Sequence, residues 1–89
     1  MINPIIKKDI ASVVKQLGKS TNDFSGKTIL ITGASGLIGG YILETIAYIN
    51  SEGLLSVPCK IIGLQKSKIT KKSRLGYLLN RSDVNFVSH

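Results

Sequence analysis

The sequence has few of the residues that form disulfides or metal sites. It contains one cysteine, one histidine and no tryptophan among its 89 residues. A single cysteine cannot form an internal disulfide, and no cysteine or histidine cluster supplies metal ligands. We therefore predict no metal centre, and we expect Cys59 to be an inert, partly buried thiol at the start of a strand.

Long uninterrupted apolar segments are also missing. Four charged residues interrupt the apolar residues of the amino terminus: Lys7, Lys8, Asp9 and Lys15. This pattern is unlike that of a signal peptide. The most apolar stretch, residues 28–43, carries no charge, but four glycines interrupt it and it is too short to span a bilayer. These absences predict a cytoplasmic protein with no membrane partner.

Acidic residues are scarce, with five against twelve lysines and arginines, for a net charge of +7. Residues 60–81 hold seven basic residues and no carboxylate, which accounts for the whole net charge. One interpretation is a nucleic-acid surface. However, no aromatic residues lie among the lysines of residues 60–76, as stacking on bases would require. We favour a solvated basic surface and do not expect nucleic acid as a partner.

What is present is the composition of a small globular domain, with 43% hydrophobic and 19% charged residues. Asn3 and Pro4 fit the N-cap and first residue of a leading helix that continues to Gly18. Residues 19–26 are polar and predict a turn. Strands are predicted at 28–32, 60–64 and 84–88, and helices from Leu37 to about 51–53 and from Ser67 to Leu79. This alternation predicts an α/β fold with a parallel sheet of order 3-2-1 and right-handed crossovers.

Three glycines, Gly33, Gly36 and Gly39, follow the first predicted strand and open the next helix. Gly33 would let the chain leave the strand in a conformation that a side chain forbids. Gly36 would leave no Cβ between the backbone and a pyrophosphate, and Gly39 would let the helix pack closely. The helix beginning near Leu37 would direct free N–H groups at the phosphates. The pattern therefore predicts a dinucleotide-binding turn for NAD or NADP.

A phosphate-binding P-loop does not fit the same residues. That loop needs a lysine and a hydroxyl directly after its last glycine, where this chain has Gly40 and Tyr41. We therefore exclude a nucleoside triphosphate site of that kind.

The end of the second predicted strand bears on the choice between NAD and NADP. A carboxylate in this place binds the ribose hydroxyls of NAD, but this chain has Gln65 there. Glu52 falls at the end of the preceding helix and is a poor substitute. Lys66 and Lys68 follow Gln65, and a cation in this place can pair with the 2′-phosphate of NADP. Both cofactors remain possible, with NADP slightly favoured.

The turn Thr32-Gly33-Ala34-Ser35-Gly36-Leu37-Ile38-Gly39 resembles the T-G-A-[ST]-G-x-[IL]-G turn of extended short-chain dehydrogenases/reductases. Within that superfamily it is similar to the NAD-dependent epimerase/dehydratase family, which acts on nucleotide sugars. The resemblance covers residues 24–89 and implies a Rossmann-type sheet with flanking helices. The cofactor-binding residues predicted from the turn and the second strand are Gly33, Ala34, Ser35, Gly36, Leu37, Ile38, Gly39, Gln65 and Lys66.

The chain departs from that family in its catalytic residues. Family members use a Tyr-x-x-x-Lys pair, and in this chain the fourth residue after each tyrosine is Thr45, Glu52 or Arg81. No catalytic residue is therefore predicted. An enzyme of this family with its substrate domain is normally more than twice as long. We expect residues 1–26 to form a leading helix and linker, and residues 27–89 to form a partial NAD(P)-binding domain truncated at its third strand.

Two functional hypotheses follow from the resemblance and its gaps. The first is the cofactor-binding half of a nucleotide-sugar epimerase, dehydratase or decarboxylase, inactive by itself. The second is a non-catalytic Rossmann module that binds a dinucleotide or an acidic partner. In either case residues 28–32 form an uncharged strand of high β-propensity whose edge would be open. We expect the chain to self-associate through that edge or through the uncovered face of the sheet.

Overall fold

The computed structural model describes residues 4–34, 36–66 and 68–88. In these residues the α-helices and strands follow in the order α1 (Pro4–Leu17), β1 (Thr28–Thr32), α2 (Leu37–Ser51), β2 (Lys60–Gln65) and β3 (Val84–Ser88). Every one of these elements was predicted, with bounds within two residues wherever a bound was predicted. Asn3, the predicted N-cap of α1, lies outside the described residues, as do Ser35, Ser67 and His89.

The three strands form one parallel sheet with β2 in the middle, between β1 and β3. Ile31 of β1 lies opposite Gly63 of β2, and Gly63 lies opposite Phe86 of β3. Two neighbouring parallel strands need a crossover connection that returns the chain to the same end of the sheet. Helix α2 forms this connection from β1 to β2. The parallel sheet and its flanking helices confirm the predicted α/β class.

The core lies between one face of the sheet and the helices. Gly63 is a point of close approach, because a Cβ there would lie 3.1 Å from Leu43 of α2 and 3.1 Å from the Ala34 side chain. The leading helix α1 adds Ile10 and Val14 to the same buried cluster. The leading helix therefore shares the core of the sheet and does not form a separate unit.

The segment between α1 and β1 was predicted to be a polar turn. The structure coils most of it into a 3₁₀ helix, Gly18–Phe24. The Thr21 hydroxyl donates to the carbonyl of Gly18 at 2.9 Å, and Phe24 packs half-buried against the core. This short helix leads the chain from α1 to the start of β1.

The predicted helix over residues 67–79 is wrong. In the described part of this segment the chain forms turns and one short 3₁₀ helix, Gly76–Leu78. The Ser73 hydroxyl accepts the N–H of Thr70 at 3.1 Å, which gives the backbone a local alternative to helical hydrogen bonds. Gly76 lets the turn close, because a Cβ there would lie 2.5 Å from the carbonyl oxygens of Thr70 and Lys71. The predicted turn at residues 80–83 is present.

Polar side chains join the end of α2 to the starts of β2 and β3. The Asn50 amide donates to the Cys59 carbonyl at 2.7 Å and to Asp83 at 2.8 Å, and it accepts the Cys59 N–H at 2.9 Å. Cys59 is completely buried directly before β2. Burial raises the pKa of its thiol and the Asp83 carboxylate raises it further, which is consistent with an inert cysteine.

We expect Asp83→Asn to destabilise the protein at pH 7 by about 1–3 kcal/mol and to matter less in acid. Burial by itself would raise the pKa of Asp83, but hydrogen bonds from Arg81 and Asn50 lower it below its ordinary value. The stability from Asp83 is therefore present above its ordinary pKa and is lost as the pH falls through the lowered one. Urea unfolding at pH 7 and pH 3 measures this.

The control for Asp83→Asn is Asp9→Asn, which removes an exposed carboxylate from α1. The control variant should follow the wild type at both pH values. If the stability gap between Asp83→Asn and the wild type stays the same at pH 3, the ionised form of Asp83 does not stabilise the fold.

No helix in residues 4–34, 36–66 and 68–88 has both the length and the apolar character needed to cross a membrane.

Candidate functional site

The glycine turn lies where β1 and β2 end. Gly33 has φ +66°, a left-handed conformation that favours glycine, so the predicted reason for this glycine is confirmed. The N–H groups of Gly33 and Ala34 both donate to the Leu64 carbonyl, at 2.8 and 3.2 Å. These bonds hold the turn against the end of β2. The turn therefore lies at the carboxyl edge of two neighbouring parallel strands, where α/β proteins bind ligands.

Helix α2 begins at this turn, and its N-cap residue makes no side-chain cap in the described part of the chain. Its N-cap residue, Gly36, has extended φ and ψ of −76° and 170°, which any residue can adopt. Glycine offers no oxygen to the first N–H groups of the helix, and the first turn of α2 contains no acidic residue. The positive end of α2 is therefore not neutralised by its own side chains, and its N–H groups remain available to an anion.

Gly39 allows α2 to lie directly against the turn. A Cβ at this position would overlap the carbonyl oxygen of Gly33 and would lie 3.4 Å from the Cα of Ala34. Both neighbours are backbone atoms, which cannot move aside without moving the turn. The predicted role of Gly39 in close packing is confirmed.

A cavity of about 190 Å³ opens beside the turn, between the start of α2 and the connection from β2 to β3. Gly36 and Gly40 line it from the turn and helix, and Lys68, Ser73 and Arg74 line it from the connection. Two cations and a hydroxyl therefore surround a small space next to an uncapped helix terminus. This combination of groups is suited to an anion.

Arg74 is held in place by a buried carboxylate of α2. Its Nε lies 2.8 Å from Oε1 of Glu44, whose side chain is 1% exposed, whereas the Arg74 side chain is 36% exposed. Burial raises the pKa of Glu44, and the charge and hydrogen bond of Arg74 and a hydrogen bond from Tyr77 partly oppose this. The guanidinium Nη1 lies 3.5 Å from the place where a Cβ at Gly40 would be. The Arg74 side chain thus contacts the buried Glu44 and also lines the cavity.

The structure divides the other predicted cofactor-binding residues into exposed and buried ones. Leu37 and Ile38 are 80% and 76% exposed at the start of α2, and Lys66 is exposed. Ala34 is completely buried. Gln65 is only 2% exposed, and its Oε1 has no hydrogen-bond partner among the described residues. Ser35 lies outside the described residues, so its predicted role stays a prediction.

Five residues that line the cavity were missed as site residues: Gly40, Ile69, Ser73, Arg74 and Leu75. The prediction of a helix over residues 67–79 obscured Ser73 and Arg74, since it treated the basic residues there as a solvated surface. A sequence signal existed for Gly40 alone, because it extends the glycine motif into the first turn of α2.

Comparison of the chain with protein-family models, with curated proteins and with solved structures gives no match. The described residues also contain no group of three or more histidine, cysteine or carboxylate side chains that could hold a metal ion. The glycine turn and the cavity beside it are therefore the basis of the proposed function.

Proposed function

We propose that the chain is the NAD(P)-binding part of a nucleotide-sugar epimerase, dehydratase or decarboxylase. The observation that carries the proposal is the glycine turn at the carboxyl edge of the sheet. There Gly33 has a left-handed conformation, Gly36 leaves α2 uncapped and Gly39 brings the helix against the turn. A tight turn at the first glycine and close helix packing at the third are properties of a dinucleotide-binding turn, and an uncapped helix start suits a pyrophosphate. The resemblance of residues 32–39 to the extended short-chain dehydrogenases/reductases supports the same proposal.

The sheet supports a Rossmann-type fold. In a dinucleotide-binding half-sheet the first three parallel strands lie in the order 3-2-1, with the glycine turn after the first strand. The strands of this chain lie in the order β1-β2-β3, all parallel, and the turn follows β1. The strand order and the position of the turn together support the proposed Rossmann-type fold.

The residues present fit the chemical groups of a dinucleotide. The uncapped start of α2 offers N–H groups to a pyrophosphate. Gln65 ends β2 with a buried oxygen that has no donor among the described residues, and a ribose hydroxyl is a donor of suitable size. Lys68 and Arg74 supply positive charge beside the turn. We propose NADP as the favoured cofactor and NAD as the other candidate.

When bound, the nicotinamide supplies hydride transfer to and from a sugar carbon. The residues of this chain bind and orient the cofactor, and the described residues contain no Tyr-x-x-x-Lys pair to move a proton. We therefore propose that the chain by itself is inactive and that a nucleotide sugar is the substrate of the whole enzyme. We place this function in the cytoplasm.

The test of this proposal is the binding of NADPH by the wild type and by Gly36→Ala, measured by calorimetry or cofactor fluorescence. We expect a wild-type Kd of about 100 μM or weaker, because only part of the usual contacts are present. Gly36→Ala should weaken binding at least about tenfold, since its methyl group takes the place needed by the pyrophosphate.

Thermal unfolding is the control for folding in this test. The backbone at Gly36 suits alanine, and its Cβ would lie 3.2 Å from the Gly33 carbonyl oxygen, so only a small loss of stability is expected. The substitution Leu54→Ala, at an exposed site that does not line the cavity, should leave binding unchanged. Equal NADPH affinity in folded wild type and Gly36→Ala would refute the proposed site.

A further inference from the structure

The cavity beside the glycine turn contains a cation whose position is set from the protein interior. We infer that Glu44 is a positioning residue, which holds Arg74 so that its free amino groups bind a phosphate monoester in this cavity. If the proposed function is correct, on which this assignment rests, that monoester is the 2′-phosphate of NADP. Selection of NADP then depends on Arg74 and Glu44 and not on Lys66.

Among the described residues, the ion pair of Arg74 involves its Nε and not its two amino groups. The guanidinium has five N–H donors in a planar fork. Its Nε forms an ion pair with Oε1 of Glu44 at 2.8 Å. Among the described residues Glu44 is its only ion-pair partner. Nη1 lies over the first turn of α2, next to Gly40, and Arg74 lines the cavity together with Gly36. A tetrahedral phosphate there would meet the two amino groups as a bidentate acceptor.

Glu44 is an unusual residue for the place it occupies. It lies in the middle of α2 between Leu43 and Ile46, both buried, and its own side chain is 1% exposed. A buried ion pair is often no more stabilising than apolar side chains of similar size. The stability of the core therefore does not explain a carboxylate here. A defined position for a flexible arginine does explain it, because orienting the fork in advance reduces the entropy lost when phosphate binds.

Two neighbours complete the proposed subsite. The Ser73 oxygen accepts the N–H of Thr70 at 3.1 Å, and the Ser73 and Thr70 hydroxyls lie 3.3 Å apart. When Thr70 donates between these two hydroxyls, the Ser73 hydroxyl can donate to a phosphate. Lys68 also lines the cavity and adds a second positive charge. Lys66, by contrast, is exposed and does not line the cavity. The structure thus separates a lysine suited to the phosphate from one that is only near it in sequence.

The experiment compares the affinities for NADPH and NADH in four proteins: wild type, Arg74→Lys, Glu44→Gln and Lys66→Ala. We expect the wild type to bind NADPH at least about tenfold more tightly than NADH. Arg74→Lys removes the planar guanidinium but keeps the positive charge. Glu44→Gln keeps the size of the side chain but removes the negative charge of the ion pair with Arg74. In each of these two variants the ratio of NADPH affinity to NADH affinity should be close to one, and the affinity for NADH should stay within about twofold of the wild-type value. Lys66→Ala should keep the wild-type ratio.

The possible outcomes separate this inference from the proposed function. If NADH and NADPH bind the wild type equally, the phosphate subsite is refuted while the dinucleotide site stands. If Arg74→Lys loses the preference but a folded Glu44→Gln retains it, the positioning role of Glu44 is refuted. Arg74 is partly exposed, so Arg74→Lys is expected to fold and keeps the test valid if Glu44→Gln does not.

If neither dinucleotide binds, the proposed function fails and inorganic phosphate becomes the probe of the subsite. Phosphate should then shift the NMR amide signal of Gly40 in the wild type and not in Arg74→Lys or Glu44→Gln. Such a result supports the subsite without a dinucleotide. A shift of equal size in all three proteins, or in none, refutes it.

Discussion

Gly39→Ala is expected to destabilise the protein by about 3 kcal/mol or more, which would lower the melting temperature by roughly 15 °C. The added Cβ would overlap the Gly33 carbonyl oxygen and lie 3.0 Å from the Gly33 carbonyl carbon. Both atoms belong to a turn that is bonded to the Leu64 carbonyl at the end of β2. Relief of the overlap must move either α2 or the turn, and a domain of 89 residues has little stability to lose.

The matched control for Gly39→Ala is Gly36→Ala in the same turn. Its Cβ would lie 3.2 Å from the same Gly33 oxygen, in a backbone conformation that accepts alanine. The expected cost is about 1 kcal/mol or less. Thermal and urea unfolding of the two variants should therefore differ clearly. A melting temperature for Gly39→Ala within about 3 °C of the wild type would show that α2 does not lie as close to the turn as described.

The wild-type chain is expected to form a dimer at tens of micromolar, with a Kd of about 10 μM. In the described sheet β1 is an edge strand, so one side of its backbone offers unpaired N–H and C=O groups to a second β1. Gly63 faces α2, so by alternation its neighbours Ile62 and Leu64 lie on the other face, as do their partners Leu30 and Val87. We call these four apolar side chains the open face. Leu30 is 59% exposed and lies nearest the β1 edge. We therefore propose a second copy of the chain, related by a two-fold axis, as the partner of this edge and face.

Sedimentation velocity of the wild type and of Leu30→Lys measures this association. Burial of Leu30 is worth about 1.5–3 kcal/mol, so Leu30→Lys should weaken the dimer by tenfold or more. Leu37→Lys, at an apolar residue that is 80% exposed but lies on α2, should leave the dimer intact. Higher salt should strengthen the dimer, because it screens the repulsion between two chains of charge +7. A wild-type monomer at tens of micromolar in high salt would contradict the prediction.

The parts of the fold that the sequence predicted are those with local causes. Thr28–Thr32 is an apolar β-prone run, and the glycines after it end the strand and begin α2 at Leu37. A left-handed residue at Gly33 and close packing at Gly39 follow from the missing side chains of these two residues. Alternation of strands and helices then restricts the sheet to parallel pairing. For these features, neighbouring residues in the sequence are enough to determine the backbone conformation.

Neighbouring residues in the sequence were not enough to predict the residues of the candidate site. Lys66 and Lys68 were both considered because they follow Gln65 in the chain, and the structure places Lys68 and Arg74, but not Lys66, at the cavity. The helix predicted over residues 67–79 failed because Ser73 bonds to the backbone of Thr70 and Gly76 lets the turn close. A helical pattern of apolar residues cannot reveal these competing bonds.

The sequence by itself determined the class of fold, the glycine turn and the start of α2, since neighbouring residues decide backbone conformation there. Only the tertiary structure decided that Gln65 is buried, with no partner for its oxygen in the described part of the chain, and that Glu44 of α2 holds Arg74 at the cavity. Glu44 and Arg74 are thirty residues apart in the chain, and no local preference joins them. They meet because the parallel pairing of β1, β2 and β3 brings the connection after β2 back over α2.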